Sequence, residues 1–251
     1  MRTMDRLERL KIIIKYLMDD EHVSYQIPSS LEERQRMMRA LMNVWEPNAI
    51  GNEFRKMQDA ELQMQREDKG VVEVNNEGLV LWQGDITRLK VDAIVNAANA
   101  HALGCWVPLH NCIDNCIHSA AGIQLRKECA DKMQGGLLAT GDAFITKGYN
   151  LPARHVIHTV GPIIPDGVPT TEQEEQLARC YRSCLDLAEK NGLESIAFCC
   201  ISTGVFHFPN ELAAKIATET VKSYPRHALK TIVFNVFLNK DLDIYRQLLG
   251  A

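Results

Sequence analysis

Ala93-Ile94-Val95-Asn96-Ala97-Ala98-Asn99 is a short apolar run that ends in a polar turn. The apolar part has the length and composition of a buried strand, and the two asparagines follow its carboxyl end. In open α/β sheets, ligands bind in the crevice beyond the carboxyl ends of the strands. This segment therefore predicts a strand and the ligand-facing loop that follows it.

The sequence around this segment alternates between strand-like and helical patterns. Apolar runs that suit strands cover residues 79–82, 143–146, 155–160, 195–201 and 231–237. Helical patterns cover residues 112–133, 173–190, 210–223 and 242–249. Strands separated by helices of this length predict crossover connections and a largely parallel sheet between helical layers.

The first 70 residues have a different pattern and predict an N-terminal helical extension, residues 1–70, ahead of a main domain, residues 71–251. Leu7, Leu10, Ile14 and Leu17 recur at helical spacing and form one apolar face. The segment 30–33, Ser-Leu-Glu-Glu, fits a capping box at the start of a second helix. The extension is interpreted as a helical cap packed on the main domain, with a separate partner-binding module as the alternative.

Composition limits the class of protein and its partners. The net charge of −4 and pI near 6.1 give no basic footprint for nucleic acid. No apolar run approaches the roughly 18 residues of a membrane span, and the N-terminus does not resemble a secretory signal. Eight cysteines without such a signal favour a cytoplasmic protein with reduced or metal-bound thiols. An anionic ligand would be held by backbone amides and helix N-termini, which favours a small phosphate-bearing molecule.

The segment Cys105-x4-His110-x-Cys112 begins six residues after Asn99. Cysteine thiolates and histidine imidazoles bind Zn²⁺; structural sites use four protein ligands, and catalytic sites often use three. Three ligands without an obvious fourth therefore predict a catalytic zinc site with an open position. Cys116 is the candidate fourth ligand if the site is structural. The remaining cysteines lie on helix or strand patterns and are predicted to be core thiols: Cys129, Cys180, Cys184, Cys199 and Cys200.

Four segments that follow strands, in this order along the chain, carry a family resemblance: residues 84–87 (Gly-Asp-Ile-Thr), 96–99 (Asn-Ala-Ala-Asn), 150–162 and 201–206 (Ile-Ser-Thr-Gly-Val-Phe). Over about residues 71–251 the chain resembles the macrodomain family of ADP-ribose-binding modules and hydrolases. The resemblance implies a three-layer α/β/α sandwich around a six-stranded mixed sheet. Residues 103–112 replace the glycine run of ordinary macrodomains. This replacement and the N-terminal helical extension both resemble the zinc-containing branch of the family. The members of that branch are bacterial enzymes that remove ADP-ribose from proteins.

The resemblance implies contacts for the adenine and diphosphate. Asp85 would accept a hydrogen bond from the adenine amino group beside the amide of Ile86, although a turn cap is the alternative role for Asp85. Phe237 and Asn239 would flank the adenine, with the apolar core as the alternative for Phe237. His207 stands where the family usually has glycine. The loop that would wrap the diphosphate consists of Ser202, Thr203, Gly204, Val205 and Phe206.

The resemblance also implies the residues at the reactive end. Asn99 would bind the distal ribose and orient it, whereas Asn96 is predicted to bond loop backbone. Asp114 matches the acidic residue that positions or activates water, with first-turn helix charge as its alternative role. Cys105, His110 and Cys112 would hold the zinc. His118, one helical turn after Asp114, is predicted to be a packing residue or a support for the site, and His155 and His158 to be satisfied within a buried strand.

These assignments predict a zinc-dependent protein mono-ADP-ribosyl hydrolase. The branch implies cleavage of ADP-ribose from acidic side chains. It also implies, as partners, a lipoyl-carrier protein resembling the glycine-cleavage H protein and a sirtuin-type ADP-ribosyltransferase that modifies it. The alternatives are a non-catalytic ADP-ribose reader and an O-acetyl-ADP-ribose deacetylase.

Overall fold

A computed structural model of the chain describes residues 4–250 and contains a six-stranded mixed sheet. The strand order is β2-β8-β7-β4-β6-β5, and each neighbouring pair is parallel except β5 with β6. The strands of this sheet are β2 (Gly78–Gln83), β4 (Ala93–Ala97), β5 (Ala143–Lys147), β6 (His155–Thr159), β7 (Ser195–Phe198) and β8 (Thr231–Val236). Two short strands, β1 (Val72–Glu73) and β3 (Leu89–Lys90), pair separately.

Helices lie on both faces of the sheet and complete the predicted three-layer sandwich. One layer contains α4 (Ile113–Ala121) and α5 (Ile123–Met133). The other contains α6 (Thr171–Lys190), α7 (Asn210–Ser223) and α8 (Asn239–Leu249), which pack on one another in that order. None of the helices in residues 4–250 has the length and hydropathy that a membrane span requires.

The helix predicted over residues 112–133 is wrong in one respect, because Gly122 divides it in two. Gly122 has φ +99°, a conformation that glycine adopts far more readily than other residues. A Cβ at this position would also lie 2.8 Å from side-chain atoms of Gln58 and Gln124. The break turns the chain between α4 and α5. The strand predicted over 195–201 is also shorter, ending at Phe198.

The extension forms three helices with their own apolar core: α1 (Arg6–Asp20), α2 (Leu31–Val44) and α3 (Asn52–Lys69). Residues 1–3 of the predicted extension lie outside the described residues. Leu10, Ile14, Trp45 and Phe54 are buried in this core together with Ile123 from α5. The side chain of Gln58 accepts a hydrogen bond from the Ile123 backbone N–H at 3.0 Å. The extension therefore packs directly on the helical layer that contains α4 and α5.

Candidate functional site

Five parallel strands bring the predicted loops to one edge of the sheet. β2, β8, β7, β4 and β6 run in the same direction, so the segments after their carboxyl ends converge. Backbone hydrogen bonds join these segments: Ala98 N–H donates to the Thr159 carbonyl at 2.9 Å, and Ile164 N–H to the Phe206 carbonyl at 2.8 Å. The loops quoted from the sequence thus lie together at the carboxyl edge of the sheet.

The loop 202–206 presents backbone amides at this edge. Ser202 and His207 have φ of +65° and +57°, so His207 adopts the left-handed conformation that glycine usually supplies. Hydrogen bonds from Phe208 N–H to the Ser202 carbonyl, and from His207 N–H to the Gly204 carbonyl, both at 3.0 Å, hold the loop. Within residues 4–250, the amides of Gly204, Val205 and Phe206 have no acceptor. Successive unpaired amides of this kind form a concavity suited to an anion.

Asp85 and Ile86 begin a short 3-10 helix after β2. One Asp85 carboxylate oxygen accepts from the backbone and hydroxyl of Thr87 at 3.0 and 2.6 Å. The other oxygen lies 3.4 Å from Lys69 Nζ. Burial alone would raise the pKa of Asp85, but the Thr87 hydrogen bonds and the Lys69 charge bring it below its usual value. Asp85 therefore caps the turn with one carboxylate oxygen, while the other oxygen faces Lys69.

The segment after β8 lies at the surface beside the end of β2, two residues before Asp85. Phe237 is 71% exposed, so the alternative that placed it in the apolar core is wrong. The Asn239 side chain accepts a hydrogen bond from Gln83 at 2.8 Å, which connects this segment to the end of β2. An exposed aromatic face at this edge is suited to stacking on a planar base.

Asp114, in the first turn of α4, is a buried carboxyl group with oriented amide partners. Its relative exposure is 5%, and its two oxygens accept from the amides of Asn96 at 2.7 Å and Asn99 at 3.3 Å. The prediction that Asn96 bonds loop backbone is wrong: Asn96 is fully buried and donates to Asp114 and faces His158. Burial raises the pKa of Asp114 to about 6, against the Asn96 hydrogen bond and the Arg126 charge, which both lower it. The position combines a buried carboxyl group with oriented amides.

Two histidines pack beside this carboxyl group. His158 faces Asn96 and Thr146 through its two ring nitrogens and stacks on Phe144, and burial lowers its pKa to about 3. His158 is thus a neutral core residue, as expected from the strand pattern. His118 is buried with Nε2 at 3.6 Å from an Asp114 oxygen, and burial and His158 lower its pKa.

The predicted metal ligands come together next to Asp114. The Sγ atoms of Cys105 and Cys112 and a ring nitrogen of His110 lie within 4.8 Å of one another. Cys105 Sγ and His110 Nδ1 are 3.5 Å apart. Tetrahedral Zn²⁺, with bonds of about 2.3 Å to sulfur and 2.0 Å to nitrogen, would place such ligands about 3.5 Å apart. The donor set and its spacing fit zinc, and Cys116 is not part of the group.

Arg126 is a component of the site that sequence reasoning missed. It is 2% exposed and donates to the carbonyls of Leu103 at 2.7 Å and Cys105 at 3.4 Å. Its guanidinium also lies 4.1 Å from the centroid of the Trp106 ring, within cation–π range. The sequence feature that could have identified Arg126 is its position between Leu125 and Cys129, on the buried face of a predicted helix.

Comparisons with known proteins place this geometry in a family. The family model described as "Macro domain" matches residues 95–217. A Treponema medium protein named protein-ADP-ribose hydrolase is 46% identical, and the match covers 98% of this chain and 100% of the relative. The chain belongs to the Macro domain family. The fold predicted from the resemblance is therefore confirmed.

Two solved macrodomains show the same architecture. The Oceanobacillus iheyensis macrodomain with ADP is 39% identical with a TM-score of 0.63, covering 70% of this chain and 92% of that one. The Trypanosoma brucei macrodomain in complex with ADP-ribose is 31% identical with a TM-score of 0.64, covering 89% of this chain and 97% of that one. Both neighbours share this fold, and their structures contain ADP and ADP-ribose, respectively.

Proposed function

We propose that this macrodomain is a zinc-dependent hydrolase that removes single ADP-ribose groups from acidic side chains of proteins. The observation that carries the proposal is the adjacency of two features at the strand ends. One is the Asp114 carboxyl group with its two amide partners, and the other is the Cys105, His110 and Cys112 trio. The name of the Treponema medium relative, protein-ADP-ribose hydrolase, supports the hydrolysis of ADP-ribose from protein.

The nucleotide would be anchored at the opposite end of the crevice. The unpaired amides of Gly204, Val205 and Phe206 would bind the diphosphate without a cationic surface. Asp85 and the Ile86 amide would bind the adenine edge, with Phe237 against its face. A carboxylate is suited to this role because the exocyclic nitrogen of adenine only donates. Interactions at these groups would direct the distal ribose towards Asn99.

Asn99 and Asp114 would act on the reactive end. The Asn99 amide bond to Asp114 is long at 3.3 Å, so a ribose hydroxyl can replace it at little cost. Hydrolysis adds the elements of water across the bond between ADP-ribose and the side chain, giving ADP-ribose and a free carboxyl group. Asp114 would orient the attacking water and take its proton on a carboxylate oxygen. Zinc held by Cys105, His110 and Cys112 would supply Lewis-acid chemistry beside these groups.

The decisive experiment compares metal-loaded and chelator-stripped protein on a mono-ADP-ribosylated substrate. The lipoyl-carrier protein implied by the resemblance, modified by a sirtuin-type transferase, is the first substrate to use. We expect ADP-ribose release with loaded protein, loss of release after chelation, and recovery on adding Zn²⁺. Equal rates with and without metal would refute the zinc requirement.

The same assay separates the rival functions. Intact modification in both samples, together with tight ADP-ribose binding by calorimetry, would identify a non-catalytic reader. A rate on O-acetyl-ADP-ribose that exceeds the rate on modified protein would identify a deacetylase instead. Substrates modified on acidic side chains and on serine, compared at equal concentration, test the linkage: we expect release only from the acidic ones.

A further inference from the structure

The loop that carries the candidate metal ligands is held by the N-terminal extension. Arg39, on α2, donates from Nη2 to the carbonyl of His110 at 2.7 Å. The same guanidinium group donates to the side-chain oxygen of Asn115, at 2.8 Å from Nη2 and 3.3 Å from Nε. Asn115 in turn donates to the Val107 carbonyl at 2.9 Å. Arg39 thus holds the His110 end of the segment 107–110 directly and the Val107 end through Asn115.

Asn43, one helical turn after Arg39, holds the middle of this segment. Its side-chain oxygen accepts from the Leu109 backbone N–H at 2.9 Å, and its amide donates to Ser119 on α4. Leu109 has φ +58°, a conformation that is costly for a residue other than glycine and persists only when its surroundings enforce it. Asn43 supplies that enforcement, since it is itself fully buried with both ends of its amide paired.

Arg126 hydrogen-bonds both to the carboxyl-terminal end of α2 and to the start of the loop 103–112. Its Nη1 donates to the carbonyls of Asn43 and Trp45 at 2.9 and 2.8 Å, while its Nε donates to Leu103. The carboxyl-terminal end of α2 therefore shares a buried cation with the residues that precede Cys105. The loop is held from both sides, by α5 and by the extension.

We propose that Arg39 and Asn43 are positioning residues of the metal site, and that α2 of the extension is part of that site. This inference rests on the proposed function for the identity of the metal. The two side chains fix the backbone at Leu109 and His110, and this brings the His110 ring to Cys105 and Cys112. Without these two side chains, the loop becomes ordered only when the metal binds. The conformational entropy lost in that step lowers the affinity of the protein for the metal.

The test measures Zn²⁺ affinity by competition with a chromogenic chelator in full-length variants. Loss of groups that orient metal ligands typically costs 10- to 100-fold in affinity, and we expect a loss of about this size for Arg39→Ala and for Asn43→Ala. Arg36→Ala is the matched control, because Arg36 is an exposed cation on the same helix and has no hydrogen bond to residues 103–112. ADP-ribose affinity should be unchanged in all three variants.

Amide hydrogen exchange of the metal-free proteins provides a readout that does not depend on zinc. We expect faster exchange of peptides containing Leu109 and His110 in both variants, and wild-type exchange in Arg36→Ala. If Arg39→Ala fails to fold, Arg39→Lys keeps the charge but lacks the second planar donor, and it should show the same faster exchange.

The outcomes separate the two proposals. Wild-type protein that binds no Zn²⁺ would refute the proposed metal, while the exchange data would still decide whether α2 orders the loop. Zinc affinity and exchange at the level of Arg36→Ala would overturn the positioning role. A general loss of fold would lower ADP-ribose affinity as well, so selective loss of zinc supports the inference.

Discussion

Gly161 lies against Ser202, in the loop 202–206 that we propose binds the diphosphate, and this close approach can be tested by adding one methyl group. Gly161 follows β6, and a side chain at this position would point at Ser202. A Cβ built on Gly161 would fall well inside the 3.0 Å that real Cβ contacts respect, against Ser202 Oγ, and would lie 2.9 Å from Ile201 Cγ2. Since Ser202 is buried in a left-handed conformation, it has little freedom to turn away.

The geometry sets the size of the effect. Restoring an ordinary contact requires Ser202 to move by about 1 Å, because interiors are packed too closely to absorb the overlap. Displacing the loop would lose about one amide hydrogen bond to the charged diphosphate, which is worth about 1.5–3 kcal/mol, or roughly 10- to 160-fold in affinity. We therefore expect Gly161→Ala to weaken ADP-ribose binding by an amount in this range while the protein stays folded.

Calorimetric titration of ADP-ribose into Gly161→Ala, Ser202→Ala and the double variant checks this reasoning. Ser202→Ala alone should bind nearly as well as wild type, because the proposed diphosphate contacts are the amides of residues 204–206 and the buried Ser202 hydroxyl has no hydrogen-bond partner within residues 4–250. The double variant should recover part of the lost affinity, since the closest obstacle is removed. Wild-type affinity in Gly161→Ala, or losses that simply add in the double variant, would refute this account of the loop.

Three further predictions concern the reactive end and the junction of the helices. Asp114→Ala should lower kcat about 10²–10⁴-fold and change the Kd for ADP-ribose much less, as measured by steady-state kinetics and calorimetry; equal effects on both would contradict its role in catalysis. Cys116→Ala should retain one zinc per chain by elemental analysis, because Cys116 is not in the ligand group; loss of the metal would make it a ligand. Gly122→Ala should lower the free energy of unfolding in urea by about 1–3 kcal/mol, and by more than Gly192→Ala, which has a positive φ but open space around it.

Local pattern predicts much of this fold because burial and periodicity act over short stretches of chain. The alternation of apolar runs and helices predicts the six strands of the sheet and the edge to which their loops point. The spacing of Cys105, His110 and Cys112 predicts that three donors meet, and the structure brings them together. Gly122 shows where pattern is insufficient: an apolar periodicity continues across it, but the helix breaks where Gly122 adopts a positive φ between the side chains of Gln58 and Gln124.

The supports of the site could not be read from the sequence because they join distant residues. Arg39 and Asn115 are 76 positions apart, and no periodicity relates them. The pairing of Asn96 with Asp114 could not be predicted for the same reason. The strand pattern places Asn96 after a buried run but does not indicate which side chain faces it. Such contacts depend on how the layers stack, which only the folded structure determines.

The most direct test of a zinc-dependent reaction centre is anomalous diffraction at the zinc edge from crystals grown with ADP-ribose. We expect a single peak at bonding distance from Cys105, His110 and Cys112, with the distal ribose beside it. Fully ordered side chains without a peak, and with both sulfurs turned towards the core, would contradict it.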